Sequence, residues 1–221
     1  MQTGRRIVRS RSGLITTVAC DASGRPSYAL EGSVFIGGAV IQWLRDGLKV
    51  LNNAAESEAL ARSVPDAGGV FLVPAFVGLG APYWNPEARG LICGITRGTT
   101  RAHLVRAALE SIAFQSQELL HAMEQDSRTR LKTLQVDGGA VKNNLLMQSQ
   151  ADLSGLPVAR PKNVETTALG AAQLAGLSCG FWNQKDLSRM RRADRTFRPG
   201  WNPARRGQAL AGWKRAVHRA L

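Results

Sequence analysis

Leu131-Lys-Thr-Leu-Gln-Val-Asp-Gly-Gly139 predicts a strand over 131–136 that ends in a tight turn. A helix is predicted over 141–153, since apolar residues recur there on one side. A short strand over 157–159 and a helix over 168–177 follow. Strands that alternate with helices favour parallel neighbours joined by right-handed crossovers. The sequence therefore predicts an α/β domain.

The elements before and after this unit follow from the same patterns. They are a hairpin of strands over 14–19 and 28–30 with a turn at 21–24, helices within 34–50 and 54–62, strands over 70–73 and 91–95, and a long helix that ends near 123. Thr99 or Thr100 is predicted to cap the long helix, and Thr166 or Thr167 the helix over 168–177. Helices over 184–191 and 203–220 are expected on the outside.

Composition limits the class of protein. Hydrophobic residues make up 44% of the 221, which is enough for a buried core and too many for a disordered chain. No stretch is long and apolar enough to cross a bilayer, and no signal-peptide run follows the N-terminus. The three cysteines are too far apart in sequence for a disulfide framework or a zinc site. A cytoplasmic protein without a metal site is the expectation.

The net charge of +13 lies at the two ends of the chain. Residues 1–11 hold four arginines and no acid, and residues 185–221 hold eleven Lys or Arg against two Asp. Residues 12–184 are therefore neutral overall. A basic module that binds nucleic acid is one alternative, but the Arg-rich stretch has few aromatic residues to stack on bases. A solvated tail or docking surface explains the charge as well, and no nucleic-acid partner is expected.

The Asp137-Gly-Gly139 turn is the first candidate for chemistry. Glycines let a ligand approach the main chain closely, and the N-terminus of the next helix offers unpaired N–H groups to an anion. Asn143 follows four residues after Gly139, near the same position. The alternative is an ordinary strand–helix turn that needs glycine for its geometry alone, and the turn by itself does not exclude it.

Several segments together resemble the FGGY carbohydrate kinases. They are Tyr28-Ala-Leu-Glu-Gly32, Ile41-Gln-Trp-Leu-Arg-Asp46, Pro74-Ala-Phe-Val-Gly-Leu-Gly-Ala-Pro-Tyr-Trp84, Gly94-Ile-Thr-Arg-Gly98, Asp137-Gly-Gly-Ala-Val-Lys-Asn-Asn144 and Thr167-Ala-Leu-Gly-Ala-Ala172. The resemblance extends in order over roughly residues 12–200. Within the family, the loop from Pro74 to Trp84 is most similar to the kinases that phosphorylate glycerol.

The resemblance implies an actin-like ATPase domain of the ribonuclease H-like class, the C-terminal half of an FGGY kinase. ATP would lie between two such domains. Gly38 and Gln42 on the first predicted helix would contact the nucleotide, and Gly139 and Asn143 would contact its adenosine portion. The implied organisation is a basic N-terminal stub over 1–11, the kinase domain over 12–184, and a basic helical tail over 185–221 packed on the same domain.

The resemblance also implies what this chain does not supply. The catalytic Asp and the Gly-Thr-Gly loop that touches the phosphates would belong to segments that Met1–Arg11 does not contain. We therefore expect no catalytic residue and no ligand of the Mg²⁺ of Mg-ATP here, with glycerol bound only together with an N-terminal domain. The full enzyme is expected to be a homo-oligomer. The alternative is a non-catalytic, truncated module that binds a nucleotide or dimerises.

Overall fold

The computed structural model of the chain describes residues 1–20, 24–190 and 193–221. The strands are β1 (Gln2–Gly4), β2 (Ile15–Cys20), β3 (Pro26–Glu31), β4 (Phe71–Val73), β5 (Leu91–Cys93), β6 (Leu134–Gln135), β7 (Val158–Pro161) and β8 (Ala193–Phe197). The helices are α1 (Ala39–Asp46), α2 (Glu56–Arg62), α3 (Arg101–Ser127), α4 (Asn144–Ser154), α5 (Thr166–Ser178), α6 (Gln184–Met190) and α7 (Pro203–Ala220). A short 3-10 helix, Gly139–Lys142, precedes α4.

The predicted hairpin near the N-terminus is confirmed. β2 and β3 pair antiparallel along their whole length. Of the turn predicted at 21–24, residues 21–23 lie outside the described residues. β1 adds a third strand by pairing antiparallel with β3, so that the sheet has the order β1-β3-β2. Part of the predicted stub over 1–11 is thus a strand of this sheet.

The N-terminal segment is fastened to the C-terminal end of α3 by Asp126. The carboxylate accepts hydrogen bonds from the hydroxyl groups of Ser10 at 2.5 Å and Ser12 at 2.8 Å, and from the backbone N–H of Arg11 at 3.2 Å. Partial burial raises the pKa of Asp126, but these hydrogen bonds outweigh it and hold the pKa below its ordinary value. The ionised carboxylate therefore stabilises the fold.

Asp126→Asn is expected to lower the free energy of unfolding by about 1 kcal/mol at neutral pH, since an amide cannot replace all of these acceptors at a partly exposed position. The folded-state pKa lies below the unfolded one, so the contribution is present above about pH 4 and is lost as the pH falls through the folded pKa. Urea unfolding at several pH values measures it. Asp46→Asn is the control, because Asp46 is exposed and, among the described residues, pairs with its sequence neighbour Arg45 alone. A loss that persists unchanged in acid would contradict the assignment.

The predicted helices and strands over 34–123 are confirmed as α1, α2, β4, β5 and α3. β4 and β5 pair antiparallel. Thr100, one of the two residues predicted as the cap, immediately precedes α3, and its backbone N–H donates to His103 Nδ1 at 3.1 Å. The helix extends to Ser127, four residues beyond the predicted end.

The main hydrophobic core gathers around α3 and includes one face of α7. Trp213 of α7 is 1% exposed, and its ring stacks on Phe114 of α3 with centroids 5.0 Å apart and 4° between the planes. Ala216 and Val217 lie in the same core. The helix predicted over 203–220 is confirmed, but it is not simply on the outside, because its apolar face packs against α3 and β4 while its basic face stays exposed.

The unit around the Asp-Gly-Gly turn is confirmed in outline, since β6 and β7 pair in parallel. β6 is shorter than the strand predicted over 131–136. Leu131 donates its N–H to the side chain of Glu124 at 2.7 Å, so it is not available to a neighbouring strand. β8, which the sequence patterns do not predict, pairs antiparallel with β7. Only its last residue, Phe197, is buried, so its sequence shows no apolar alternation.

The helix predicted over 168–177 is confirmed as α5, but the predicted caps are wrong. Glu165 precedes the helix, and Thr166 is its first residue. The hydroxyl of Thr166 donates instead to the carboxylate of Asp137, at the turn after β6. Only Gly176 of α5 is buried, against the ring of Trp182.

Candidate functional site

The turn after β6 needs glycine for its backbone at only one of its two glycine positions. Gly138 has a φ of 81°, a conformation that L side chains rarely adopt, and its N–H donates to the carbonyl of Val164 at 2.9 Å. Gly139 begins the 3-10 helix without a positive φ, and a Cβ built on it meets no atom within 4 Å. The open space at Gly139 is therefore available to a ligand that approaches the main chain.

The helix predicted over 141–153 is divided at Asn143. This residue leaves the helical conformation, with φ of −76° and ψ of 108°, and becomes the N-cap of α4. Its Oδ1 accepts a hydrogen bond from the N–H of Leu146 at 2.9 Å, and its Nδ2 donates to Ser57 Oγ at 3.3 Å. The cap forms because asparagine satisfies one of the N–H groups left unpaired at a helix start. Its side chain thus joins α4 to α2.

The N-terminus of α4 already carries a negative charge from within the chain. Glu58 of α2 accepts hydrogen bonds from Asn144 N–H at 2.8 Å and from its Nδ2 at 3.4 Å. Partial burial raises the pKa of Glu58, but the bonds from Asn144 and Arg62 outweigh it and hold the pKa below its ordinary value. A carboxylate here takes the place that an anion would occupy at a helix N-terminus. The first N–H of α4 is therefore paired within the chain, while anion binding at the start of the 3-10 helix stays a prediction.

Arg160 of β7 also forms hydrogen bonds with this turn. Its Nη1 donates to the carbonyl of Val141 at 3.0 Å and to Oδ1 of Asn144 at 3.1 Å. Its Nε donates to Asp194 Oδ2 at 2.8 Å, and its side chain is only 14% exposed. This guanidinium therefore connects β7, β8 and the 3-10 helix.

The two remaining predicted contacts lie at the start of α1. Gly38 is its N-cap, is exposed, and has no atom within 4 Å of a built Cβ. Gln42 follows one turn later and is also exposed. α1, α2 and α4 all pack on α3. The predicted residues therefore lie on or next to helices that share α3 as a packing partner. The structure brings Gly139 and Asn143 together on one turn, and no hydrogen bond joins α1 to that turn among the described residues.

A cavity of about 700 Å³ borders the turn on the side of α5 and α6. Its lining includes Asp137, Thr166, Gln173 and Leu187. The carboxylate of Asp137 accepts the hydrogen bond from Thr166, which ties it to α5. Asp137 thus links the turn after β6 to the first residue of α5.

Sequence reasoning did not identify Ser57, Glu58 or Arg160 as part of this site. Their partners lie far along the chain, 86 positions away for the contacts of Asn143 with Ser57 and of Asn144 with Glu58. No local periodicity or motif marks such a contact. One weak signal was present: Arg160 is a cation within a short, mostly apolar strand, where an arginine needs partners for its charge.

Neither a bilayer-spanning helix nor a metal cluster is found in the part of the chain that the structure describes. Over residues 1–20, 24–190 and 193–221, no helix is long and apolar enough to cross a membrane. Over the same ranges, no three His, Cys, Asp or Glu side chains come together in a group that could hold a metal ion.

Comparison with known families matches residues 1–179 to the C-terminal domain of the FGGY family of carbohydrate kinases. The match begins at residue 1, so it includes β1 and the segment over 1–11. Glycerol kinase 2 of Thermotoga maritima is 59% identical over 222 residues, which cover 100% of this chain and 45% of that protein. Glycerol kinase of Symbiobacterium thermophilum is 60% identical over 221 residues, covering 100% and 44%. The chain thus spans less than half the length of these relatives.

Solved structures give the same fold. The crystal structure of Plasmodium falciparum glycerol kinase with ADP superposes with a TM-score of 0.92 at 38% identity, covering 100% of this chain and 44% of that one. Xylulose kinase from Lactobacillus acidophilus has a TM-score of 0.74 at 24% identity, covering 95% and 45%. The second likeness is informative about the fold alone.

Proposed function

Since this chain belongs to the FGGY family of carbohydrate kinases, we propose that it supplies the adenine-nucleotide contacts of a kinase that converts glycerol to sn-glycerol 3-phosphate. The predicted fold class, the C-terminal half of an FGGY kinase with an actin-like ATPase domain, is confirmed by the family match and the solved structures. The choice of glycerol is supported by glycerol kinases at 54–60% identity over the chain. The choice of nucleotide is supported by the ADP in the solved glycerol kinase.

The open space at Gly139 is the observation that carries the proposal. Neither the backbone nor the packing of the chain requires glycine there, and the same holds for Gly38 on α1. A nucleotide that lies against the main chain at these two positions would need glycine there, because the Cβ of any other residue would occupy the space of the nucleotide. Asn143 and Gln42 would then supply polar side chains beside it. Asn143 donates one amide hydrogen to Ser57, and in the described part of the chain the second is left for a ligand.

The turn is suited to the uncharged end of a nucleotide. Glu58 and the side chain of Asn143 pair with the N–H groups of Asn144 and Leu146 at the N-terminus of α4, so a phosphate placed there would meet the carboxylate of Glu58. We therefore propose that adenosine contacts the turn and that the phosphates extend away from it. As the resemblance implies, we assign no Mg²⁺ ligand to the chain.

Adenosine and ADP are therefore expected to bind the chain with dissociation constants within about threefold of each other. Isothermal titration at about 0.15 M salt measures both, since screening limits non-specific attraction of the diphosphate to a chain of net charge +13. Tighter binding of ADP by more than about tenfold would show phosphate contacts here and contradict the orientation. If neither ligand bound, the alternative of a dimerising module without nucleotide would stand.

Phosphoryl transfer depends on positioning ATP and the acceptor hydroxyl and on stabilising the charge of the transferred group. In our proposal this chain binds and orients the adenosine end, and the catalytic base, the phosphate loop and the glycerol contacts come from outside it. By itself it would then bind nucleotide without glycerol-dependent ATP turnover. A homo-oligomeric, cytoplasmic enzyme remains the expectation for the whole kinase. The remaining alternative is a non-catalytic module. Co-elution of this chain with a complete kinase in size-exclusion chromatography would favour that alternative.

A further inference from the structure

Asn144, the first residue of α4, is held from two sides by oppositely charged residues. Glu58 accepts from its backbone N–H and its Nδ2, whereas Arg160 donates to its Oδ1. The backbone N–H, Nδ2 and Oδ1 of Asn144 are thus all paired within the chain. Both charged residues come from elements outside the turn, α2 and β7, so the turn is clamped between two separate parts of the fold.

Each half of this clamp is itself anchored. Arg62 donates to Glu58 Oε1 at 3.0 Å, one turn further along α2. Arg160 donates to Asp194 of β8, and its guanidinium lies 5.4 Å from the centre of the Phe197 ring. A charged group that is fixed in this way loses less conformational freedom when it forms a further bond, and its position is better defined.

The clamp fixes the neighbours of Asn143 on both sides. Arg160 donates to the carbonyl of Val141, two residues before it, and Glu58 accepts from the backbone of Asn144, directly after it. The backbone of Asn143 has ψ of 108°, which is neither helical nor a continuation of the 3-10 helix. The angle at which this side chain leaves the turn is therefore set by contacts that Asn143 does not make itself.

We propose that Glu58 and Arg160 are positioning residues for the adenosine site, which hold Asn143 and the 3-10 helix in the geometry that receives the nucleotide. This rests on the proposed function, because it assigns the two residues a role at the same site. A purely structural role would be different: it would change the free energy of unfolding and leave the affinity of the folded chain unchanged.

Glu58→Ala is expected to raise the dissociation constant for adenosine about tenfold, equivalent to about 1.4 kcal/mol, because Asn144 N–H loses its acceptor. Glu58→Gln is expected to stay within about threefold of wild type, since its amide oxygen still accepts that hydrogen bond. Glu56→Ala is the matched control on the same helix: it removes bonds to Asn52 and Asn53 but none to the turn. Isothermal titration well below the unfolding midpoint measures all three.

Arg160→Lys provides a second measurement if Glu58→Ala does not fold. Lysine keeps the charge but cannot reach Val141, Asn144 and Asp194 together, so adenosine affinity is expected to fall at least about threefold. Wild-type affinity in both Glu58→Ala and Arg160→Lys, or equal losses in Glu58→Ala and Glu58→Gln, would overturn the positioning role and leave the proposed function intact. Absence of adenosine binding in the wild-type chain would overturn both.

Discussion

Trp213→Ala is expected to lower the free energy of unfolding by about 3–5 kcal/mol, the range observed when a buried aromatic residue is removed. The ring is 1% exposed and stacks on Phe114. The cavity left between α7 and α3 is not expected to close. Gly212, next to Trp213, already packs α7 closely against the ring of Phe71, so the helix has little room to move inward. This loss would be a large part of the total stability of a domain of this size. Chemical denaturation followed by circular dichroism measures it.

Trp84→Ala is the matched control for this prediction. Trp84 is 43% exposed and makes an edge-on contact with Phe35 at 6.1 Å, so its loss should cost about 1–2 kcal/mol, including its hydrogen bond to the carbonyl of Gly13. Equal effects of the two substitutions would contradict the placement of α7 in the main core. The C-terminal basic helix α7 would then lie on the surface and contribute little to the core.

Gly139→Val is expected to weaken adenosine binding by at least about thirtyfold, with the free energy of unfolding changed by less than about 1 kcal/mol. The backbone at Gly139 suits an L residue, and the new side chain would enter space that is free of protein atoms. It would also stand where the nucleotide is proposed to approach the main chain. Isothermal titration and urea unfolding on the same protein separate the two effects.

Gly207→Val in α7 is the control, because a Cβ there also meets no atom within 4 Å but lies on a different helix. It should leave adenosine binding unchanged. Wild-type affinity in Gly139→Val would mean that the turn is an ordinary strand–helix connection, the alternative that the sequence left open. Gly138→Val is unsuitable for this purpose, since its φ of 81° would add backbone strain to any effect on the ligand.

The position of the candidate site was predictable, but its internal contacts were not. Gly139 and Asn143 were predicted beside the turn and do lie together there, while their role in binding stays a prediction, as it does for Gly38 and Gln42. The sequence also suggested unpaired N–H groups at the start of the helix, and the structure pairs the N–H of Asn144 with Glu58. This hydrogen bond joins α4 to α2 across 86 positions, and no local sequence pattern near Asn144 or Glu58 predicts it.

The sequence alone determined the place of the βα turn and the order of the strands and helices other than β1 and β8, because these depend on apolar periodicity and glycine geometry within a few residues. Tertiary structure decided where each element begins and what each face packs against. α4 starts at Asn144 because Asn143, Glu58 and Arg160 converge there, and β8 exists because β7 offers it an edge. Such choices depend on partners distant in sequence, whose free energies of hydrogen bonding and burial exceed local preference.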